Sequence, residues 1–354
     1  MVRIRSGWVV ALVASGLVAT ACKKNDDKGN ASADKTAEGK SGVAPATGDK
    51  PALATGGVSG AVGDDLALLP VDSEAVIGIN FSQLQQSALW KQYVAPKIAT
   101  APGMDKFKAL CGFDPLTSLK SISIGMKNLG GGGDPTGAIV VHGYDKSKAM
   151  SCFDKDGVSD VEKDGSKVSI DGDVVMITDK SGKQFGFTFV NDTTALAVLG
   201  PDATSKDGIK KIAGGGGALK TSPTFVEMFQ KINTNDSVWM VLNGSSPAFA
   251  KASAMGIKMK ALFGSVNVSD GLAVNFRLRL GSPDEATNMV AMAKGQLAQA
   301  KQFFDKIDVT SDGADVKFDF AMSKEKLQSM VGMMAGMMGG MMGGGMGGGM
   351  GGTP

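Results

Sequence analysis

Apolar and polar residues alternate over short stretches in the middle of the chain, from Leu66 to about Met330. Alternation with a period of two residues predicts β-strands that bury one face. The predicted strands are Ala75–Asn80, Ser121–Lys127, Ala138–Tyr144, Lys167–Ile170, Val174–Thr178, Phe185–Val190, Ala195–Leu199, Val238–Leu242, Leu272–Leu280, Ile307–Thr310 and Val316–Phe320. This body of about 265 residues suffices for one large domain or two of ordinary size.

Short Gly- and Asp-containing turns separate many of these strands, as at Asp171-Gly172-Asp173, Ser181-Gly182-Lys183 and Asp312-Gly313-Ala314. Turns that tight join antiparallel neighbours. Apolar residues with helical spacing occur in other segments. The predicted helices are Ser82–Ile98, Ser147–Phe153, Pro223–Lys231, Ala248–Met259, Asp284–Phe304 and Lys324–Met330. The fold class is therefore α+β, with antiparallel sheets and packed helices.

Two segments of the body resemble each other, which indicates that residues 66–200 and 201–330 form two related α+β halves. The helix pattern Leu84–Trp90 follows a strand that begins after Asp72-Ser73. The helix pattern starting at Leu219 leads to Asp236-Ser237 and another strand. A period of about 130–160 residues is typical of domain duplication and too long for a solenoid.

The N-terminus has the three parts of a secretory signal peptide over residues 1–21. Arg3 and Arg5 supply positive charge, an apolar run follows from Trp8 to Val18, and small residues precede Cys22. A charge-free run of about 16 residues is short for a membrane span, which needs about 20. The signal therefore predicts export and cleavage.

The residues Ala19-Thr20-Ala21-Cys22 resemble the bacterial lipobox, in which small residues precede an invariant cysteine. Leu is more common than Ala at the first position. The resemblance implies a diacylglycerol thioether on Cys22, cleavage before it, and acylation of the new amine by a chain such as palmitate. Lys23 resembles the signal that sorts lipoproteins to the outer membrane. The alternative is a secreted protein with a chance cysteine at this position.

Residues 22–65 combine the lipidated Cys22 with a linker of small and polar residues. Such a composition buries too little apolar surface to offset the entropy of ordering, so a disordered tether is predicted. As a random coil the linker would reach about 35–40 Å. The body would then stand clear of the bilayer to which Cys22 attaches.

The start of the body also resembles a family of uncharacterised bacterial lipoproteins. The resemblance rests on Leu68-Leu69-Pro70-Val71-Asp72, the strand Val76–Asn80, the helix Ser87–Trp90, and Cys111-Gly112-Phe113-Asp114-Pro115 with a later cysteine. It covers the first half of the body. It implies a secreted domain without an assigned activity.

The mature body contains two cysteines, Cys111 and Cys152. In an oxidising compartment such as the periplasm, an isolated pair predicts a disulfide. A two-thiolate metal site is the alternative, but neither a third cysteine nor a nearby histidine supplies the further ligands that such a site needs.

Catalysis lacks a recognisable set of residues. His142 is the single histidine, no Gly-x-Ser-x-Gly motif accompanies it, and Asp64-Asp65 falls at the end of the linker. The run Gly214–Gly217 resembles a phosphate loop, but Leu219 stands where that motif requires Gly before Lys220, so we interpret the run as a linker between the halves. No catalytic residue, cofactor or metal site is predicted.

The C-terminal segment 331–354 is a low-complexity tail rich in Met and Gly. Nine of the 21 methionines lie between Met330 and Met350, and the first of them have helical spacing. Three interpretations are a copper(I) or silver(I) site, a weak membrane-contacting helix and an adaptable partner surface. Disorder is the fourth, since each Gly costs a helix about 1 kcal/mol.

The chain has 37 basic and 35 acidic residues and no basic cluster in its body, so nucleic-acid binding is not expected. The sequence predicts a lipid-anchored cell-envelope protein, on the outer membrane, with a non-catalytic binding or scaffolding role. Its partner would be an envelope protein, lipid or glycan. The alternatives are a soft-metal lipoprotein that uses the tail and an envelope hydrolase that uses His142.

Overall fold

A computed structural model describes residues 60–100, 104–129, 134–153, 155–163, 165–244, 249, 253 and 257–343 of the chain. All of them belong to one compact unit, Gly56–Pro354. The predicted signal peptide, Cys22, most of the linker and Gly130–Gly133 lie outside the described residues.

The described strands form a single twelve-stranded antiparallel sheet, in the order β11-β12-β10-β9-β8-β1-β2-β3-β7-β6-β5-β4. The strands are β1 Ala75–Asn80, β2 Ser121–Lys127, β3 Thr136–His142, β4 Lys167–Asp171, β5 Val174–Thr178, β6 Gln184–Asn191, β7 Thr194–Leu199, β8 Val238–Asn243, β9 Ala261–Asn267, β10 Leu272–Arg279, β11 Lys306–Asp312 and β12 Asp315–Met322. The α+β class is confirmed. The expectation of separate sheets was wrong, because β1 pairs with β8 and joins the two groups of strands.

Helices lie between and after the strands. They are α1 Gly60–Asp65, α2 Phe81–Leu84, α3 Ala95–Ala99, α4 Met104–Cys111, α5 Pro115–Ser118, α6 Lys146–Ser151, α7 Lys155–Glu162, α8 Lys206–Lys211, α9 Pro223–Phe229, α10 Pro283–Ala300 and α11 Lys324–Gly343. Short 3₁₀ or π turns, such as Trp90–Val94 and Ile212–Gly216, connect some of them.

The predicted tight turns join antiparallel neighbours as expected. Gly172, Gly182 and Gly313 lie in the turns of the β4–β5, β5–β6 and β11–β12 hairpins, with φ of 67°, 84° and 59°. Glycine adopts this left-handed conformation without the steric cost that a Cβ atom brings. Local turn chemistry therefore fixes these three strand connections.

The predicted helix Ser82–Ile98 is interrupted. The Asn80 side chain caps α2 by accepting a hydrogen bond from the Gln83 amide at 3.1 Å. The Ser87 hydroxyl then accepts one from the Trp90 amide at 3.1 Å and donates to the Leu84 carbonyl at 2.7 Å. These side-chain bonds replace the regular helical pattern, so a turn separates α2 from the next helical segment.

Strand β9 has no counterpart among the predicted strands. The sequence predicted a helix over Ala248–Met259, directly before this strand. In the structure residues 257–260 are irregular, and β9 begins at Ala261. Most of the remainder of that range lies outside the described residues. Strand β9 itself lies beyond the predicted helix and pairs with both β8 and β10.

Helix α11 continues to Gly343, although the sequence predicted a helix that ends at Met330 and a low-complexity tail from 331. Leu327 is buried and anchors its first turns. Residues 344–354 lie outside the described part. Within the residues that the structure describes, no helix is both long and apolar enough to span a membrane.

The main core lies on one face of the sheet, here called the core face, which bears Val76, Val140, Leu196, Trp239 and Phe263. Apolar side chains of the covering segments pack on it, among them Leu69, Ile209, Leu219 and Phe229. On the opposite face, α10 places Ala286 and Val290 against Val309 and Val316 of β11 and β12. Helices on both faces thus bury the sheet.

The glycine run that the sequence analysis interpreted as a linker connects β7 to β8, and it is packed rather than free. Ala218 forms an isolated bridge with Pro70, and the Leu219 amide donates to the Leu69 carbonyl at 3.0 Å. A Cβ atom at Gly217 would overlap the backbone of Leu68. Glycine is required there because two backbones approach closely.

The structure contains the predicted disulfide between Cys111, at the end of α4, and Cys152, which caps α6. The two Cα atoms are 4.6 Å apart and 41 residues separate them in sequence. A closed loop of that length contributes about 4 kcal/mol in the chain-entropy account. The bond fixes the helical segment that flanks β2 and β3.

We expect Gly78→Ala to destabilise the protein by about 1–3 kcal/mol, because a Cβ atom there would overlap the indole ring of Trp239 on the neighbouring strand. Urea denaturation measures the change. The Trp239→Leu background should reduce the cost of Gly78→Ala. Gly214→Ala, where a Cβ atom meets no neighbour, is the matched control. Equal effects at Gly78 and Gly214 would contradict the overlap.

Candidate functional site

A row of polar residues crosses the sheet at the end of β1. Asn80 pairs with Ser121, Ser121 with His142, and His142 with Thr194. Directly opposed residues in antiparallel strands point their side chains to the same face. All four lie on the core face, since each is two residues from the next core position on its strand. The row marks the place where the apolar core ends.

Asp65, the last residue of α1, lies beneath this row and is only 2% exposed. Its Oδ1 is 2.7 Å from Nε2 of His142, and its Oδ2 accepts a hydrogen bond from the Ser123 hydroxyl at 2.6 Å. Both carboxylate oxygens therefore have partners. Without them, burying this group would be costly.

The hydrogen bonds assign the imidazole tautomer. A carboxylate only accepts, so Nε2 of His142 carries the proton and donates to Asp65. Nδ1 lies 3.1 Å from the Thr194 hydroxyl, which completes the hydrogen bonding of the ring. The cluster Asp65, Ser123, His142 and Thr194 thus links α1 to β2, β3 and β7.

The sequence analysis found no partner for His142 and placed Asp65 at the end of a disordered linker. Both interpretations were wrong: α1 begins at Gly60, inside the predicted linker 22–65, and its last residue is the partner. By composition alone, residues 60–65 are classed as small and polar, like the rest of the predicted linker. The anchoring contact lies 77 residues away in sequence, so no local pattern shows it.

A cavity of about 360 Å³ opens beside the cluster, at the end of β1, β2 and β3. Its polar lining includes Asn80, Lys120, Ser121, His142, Thr234 and Asn235. Its apolar lining residues are Trp239, on the core face, and Ile79 and Ile122, whose strand positions face the other side of the sheet. Asp65 and Thr194 do not line it. The cavity thus combines polar groups with apolar residues at the end of paired strands.

Thr194, His142 and Asp65 have the connectivity of a hydroxyl–imidazole–carboxylate relay. In a hydrolase the hydroxyl would face the substrate. Here Thr194 is only 5% exposed and lies outside the cavity lining. Each group of the relay is paired inside the protein, so the arrangement positions strands and helix α1.

Of the predicted site residues, Cys111 and Cys152 form the disulfide and do not line the cavity, and Cys22 lies outside the described part. Within the described residues, no group of three or more His, Cys, Asp or Glu side chains could hold a metal ion. No described residue of the predicted sites lines the cavity, so the cavity was not predicted from the sequence.

A second polar row crosses the sheet at the end of β8. Asn243 pairs with Ala261, Ala261 with Arg279, and Arg279 with Asp315. Arg279 thus stands on the third strand from the β1–β8 junction on its side, as His142 does on the other. Like the first row, this one ends in a buried polar cluster.

Charged side chains form the buried cluster at the end of this second row. The Arg279 guanidinium donates to Asp315 through Nε at 2.7 Å and to Glu227 through Nη1 and Nη2 at 2.8 and 2.9 Å. Lys231 donates to Asp315 at 3.0 Å. Arg279 also lies over the Phe263 ring. Every charge here has a partner within the chain.

The charges shift the pKa values of this network. Burial raises the pKa of Asp315, but the hydrogen bonds from Arg279 and Lys231 outweigh it and hold the pKa below its ordinary value. Hydrogen bonds from Arg279 and Lys231 likewise lower the pKa of Glu227. Asp315 and Glu227 are therefore ionised at neutral pH.

Comparisons with protein families and with curated protein sequences gave no match. One solved structure, described as "Structure of crystal form I of TP0453", aligns with a TM-score of 0.44 and 8% sequence identity. The alignment covers 75% of this chain and 95% of that chain.

We expect Asp315→Asn to cost about 2–3 kcal/mol of stability at pH 7, because it removes a buried acceptor of charged hydrogen bonds. Asp315 has a lowered pKa in the folded state, so its contribution is complete above the unfolded pKa and is lost as pH falls through the folded pKa. The difference in unfolding free energy between wild type and variant should therefore shrink below about pH 4.

Urea denaturation from pH 7 to pH 2.5 measures this difference. Asp312→Asn is the matched control, since its carboxylate is 62% exposed and pairs with Arg277 at the surface. An exposed pair contributes about 0–1 kcal/mol. A difference for Asp315→Asn that stays constant down to pH 2.5 would refute the assigned role of its ionisation.

Proposed function

We propose that this protein is a cell-envelope lipoprotein, held on the outer membrane through acylated Cys22, whose body binds a ligand without transforming it. The observation that supports this best is the cavity at the end of β1, β2 and β3, bordered by the buried Asp65–His142 pair. The uncharacterised lipoprotein family that the sequence resembles is consistent with such a role.

The cavity has the properties of a small-molecule site. Its volume of about 360 Å³ falls in the ordinary range of such sites, about 300–1,000 Å³. Paired strands hold its floor, and the Asp65 cluster fixes the ring of His142. Groups that are already in place cost little entropy when a ligand binds. Binding is thus the function that this geometry favours.

A non-catalytic role follows from how the reactive groups are used. Both nitrogens of His142 and both oxygens of Asp65 are engaged within the protein. In a catalytic relay the hydroxyl must also face the substrate, but Thr194 is 5% exposed and lies outside the cavity lining. This supports a role for the imidazole in the wall of the site.

The anchor in this proposal is the acylated cysteine. Two or more acyl chains hold a protein stably on a bilayer, at about 0.8 kcal/mol per buried CH₂ group. Because α1 begins at Gly60, the spacer would comprise residues 23–59. A coil of that length would reach about 30–35 Å. The cavity could then meet soluble ligands in the envelope.

We further propose that the two groups of strands arose by duplication. On each side of the β1–β8 junction, three strands form a meander, helices follow, and a hairpin returns beside the third strand. Strands β1 and β8 have six residues each, and β2 and β9 have seven each. The hairpin β4–β5 is the added part of the first half.

The polar rows support this duplication better than the sequence match does. Rows that end in His142 and Thr194 on one side and in Arg279 and Asp315 on the other occupy equivalent positions. By contrast, the matched segment that begins at Leu84 follows β1, whereas the one that begins at Leu219 precedes β8. In this interpretation the halves diverged: one closed its site with ion pairs and the other kept a cavity.

Native mass spectrometry of the full chain, extracted from the envelope with its disulfide intact, tests the binding function. We expect a stoichiometric extra mass that leaves on denaturation. Asn235→Trp, which places an indole at the exposed rim of the cavity, should abolish it. Asn288→Trp on the exposed surface of α10 is the matched control. A bare mass for the wild type would favour a scaffolding role.

Membrane fractionation tests the anchor. Cys22→Ser should release the protein from the membrane fraction and remove the mass of the acyl chains, because the thioether cannot form. Lys23→Asp should keep the acyl chains but move the protein to the inner membrane. If Cys22→Ser stays membrane-bound, the lipoprotein assignment is wrong. If Lys23→Asp leaves the distribution unchanged, only the sorting assignment fails.

A further inference from the structure

We infer that the cavity takes a small ligand with an oxyanion group, a carboxylate or a phosphate, next to a short apolar portion. This inference rests on the proposed binding function and adds the chemical class of the ligand. It follows from three properties of the lining: its charge, its free hydrogen-bond donors and its apolar wall.

The lining has one cation and no carboxylate among its residues. Lys120 is exposed at the mouth, and its ammonium group has no acidic partner in the described part of the chain. By contrast, Lys206 and Lys210 pair with aspartates at 2.7 and 2.6 Å. An unpaired cation beside an acid-free cavity favours an anion, and more so because the cavity is partly shielded from water.

The nearby carboxylate of Asp65 does not cancel this preference. It lies outside the lining and is 2% exposed. Its oxygens accept hydrogen bonds from His142 and Ser123, which stabilise its charge locally. The groups that a ligand would meet are therefore the ammonium of Lys120 and neutral polar side chains.

Free hydrogen-bond donors converge on the same space. Thr234 is 7% exposed and lines the cavity, and its hydroxyl makes no hydrogen bond within the described part of the chain. That hydroxyl is therefore available to a ligand. Ser121 and Asn235 add a hydroxyl and an amide. An oxyanion accepts several hydrogen bonds at once, so it satisfies such a set well.

The remaining wall is apolar. Trp239, which is 2% exposed, borders the cavity on the core face. Ile79 and Ile122 also line it, although their strand positions turn their side chains to the opposite face. A free inorganic ion would leave this surface in contact with water. A ligand with a short hydrocarbon portion would cover it, at about 25 cal/mol per Å² of apolar area removed from water.

Isothermal titration calorimetry on the full chain tests the inference with four probes. Hexanoate and hexyl phosphate carry both parts, hexanamide is the neutral analogue, and inorganic phosphate lacks the apolar part. We expect at least one of the two amphiphilic anions to bind about tenfold or more tightly than hexanamide, which corresponds to about 1.4 kcal/mol. The better of the two identifies the oxyanion.

Lys120→Gln should weaken anion binding about tenfold and leave hexanamide unchanged. Lys91→Gln is the matched control, because Lys91 is exposed and does not line the cavity. Thr234→Val should also weaken binding of the anions, because it removes a donor and keeps the shape of the side chain. Circular dichroism of each variant verifies that the fold is retained.

Equal affinity for hexanoate, hexyl phosphate and hexanamide would overturn the inference, as would no effect of Lys120→Gln on anion binding. Inorganic phosphate that binds as tightly as hexyl phosphate would overturn the apolar part. If native mass spectrometry finds a ligand without an oxyanion, the inference fails and the binding function stands. A bare mass together with no heat from any probe defeats both.

Discussion

Backbone pairing between β1 and β8 organises the whole fold, because it turns two groups of strands into one sheet. Five residue pairs from Ala75 to Ile79 form the junction. The core face then runs without a break from Leu196 across Trp239 to Phe263. Glycine at position 78 is part of the junction, since the indole of Trp239 occupies the space of its missing side chain. Burial of this shared core therefore requires both groups of strands.

The two ends of that junction show different solutions to the same problem, which is how to finish an apolar core at the end of a sheet. At the β8 end, Arg279, Glu227, Asp315 and Lys231 neutralise one another. At the β1 end, Asp65 and His142 satisfy each other and leave space beside them. In a network whose charges are all paired with one another, no charged group is free to bind a ligand. The polar cluster at the β1 end holds the strands and α1 together while a cavity remains open. This difference supports placing the proposed binding site at the β1 end.

Much of the fold follows from local patterns. Strand alternation predicts β1, β2 and β5 to the residue, and glycine at positions 172 and 313 predicts the β4–β5 and β11–β12 hairpins. The interruption after α2 was not predicted, because hydrogen bonds of the Ser87 side chain replace the helical pattern. Strand β9 was not predicted either, and it is held by pairing with β8 and β10.

The features with local causes could be predicted from the chain alone: most of the alternating strands, the tight turns and the cysteine pair of the body. The signal and lipobox pattern stays a prediction of the same kind. The candidate site, in contrast, depends on contacts that form only when the chain folds. Asp65 meets His142 across 77 residues, and Trp239 meets Gly78 across the junction of the halves. Neither contact produces a periodic pattern in the sequence, because each depends on which strands become neighbours in the sheet. Strand order is set by the burial of whole faces of the sheet, a property of the assembled chain that no short stretch of sequence contains.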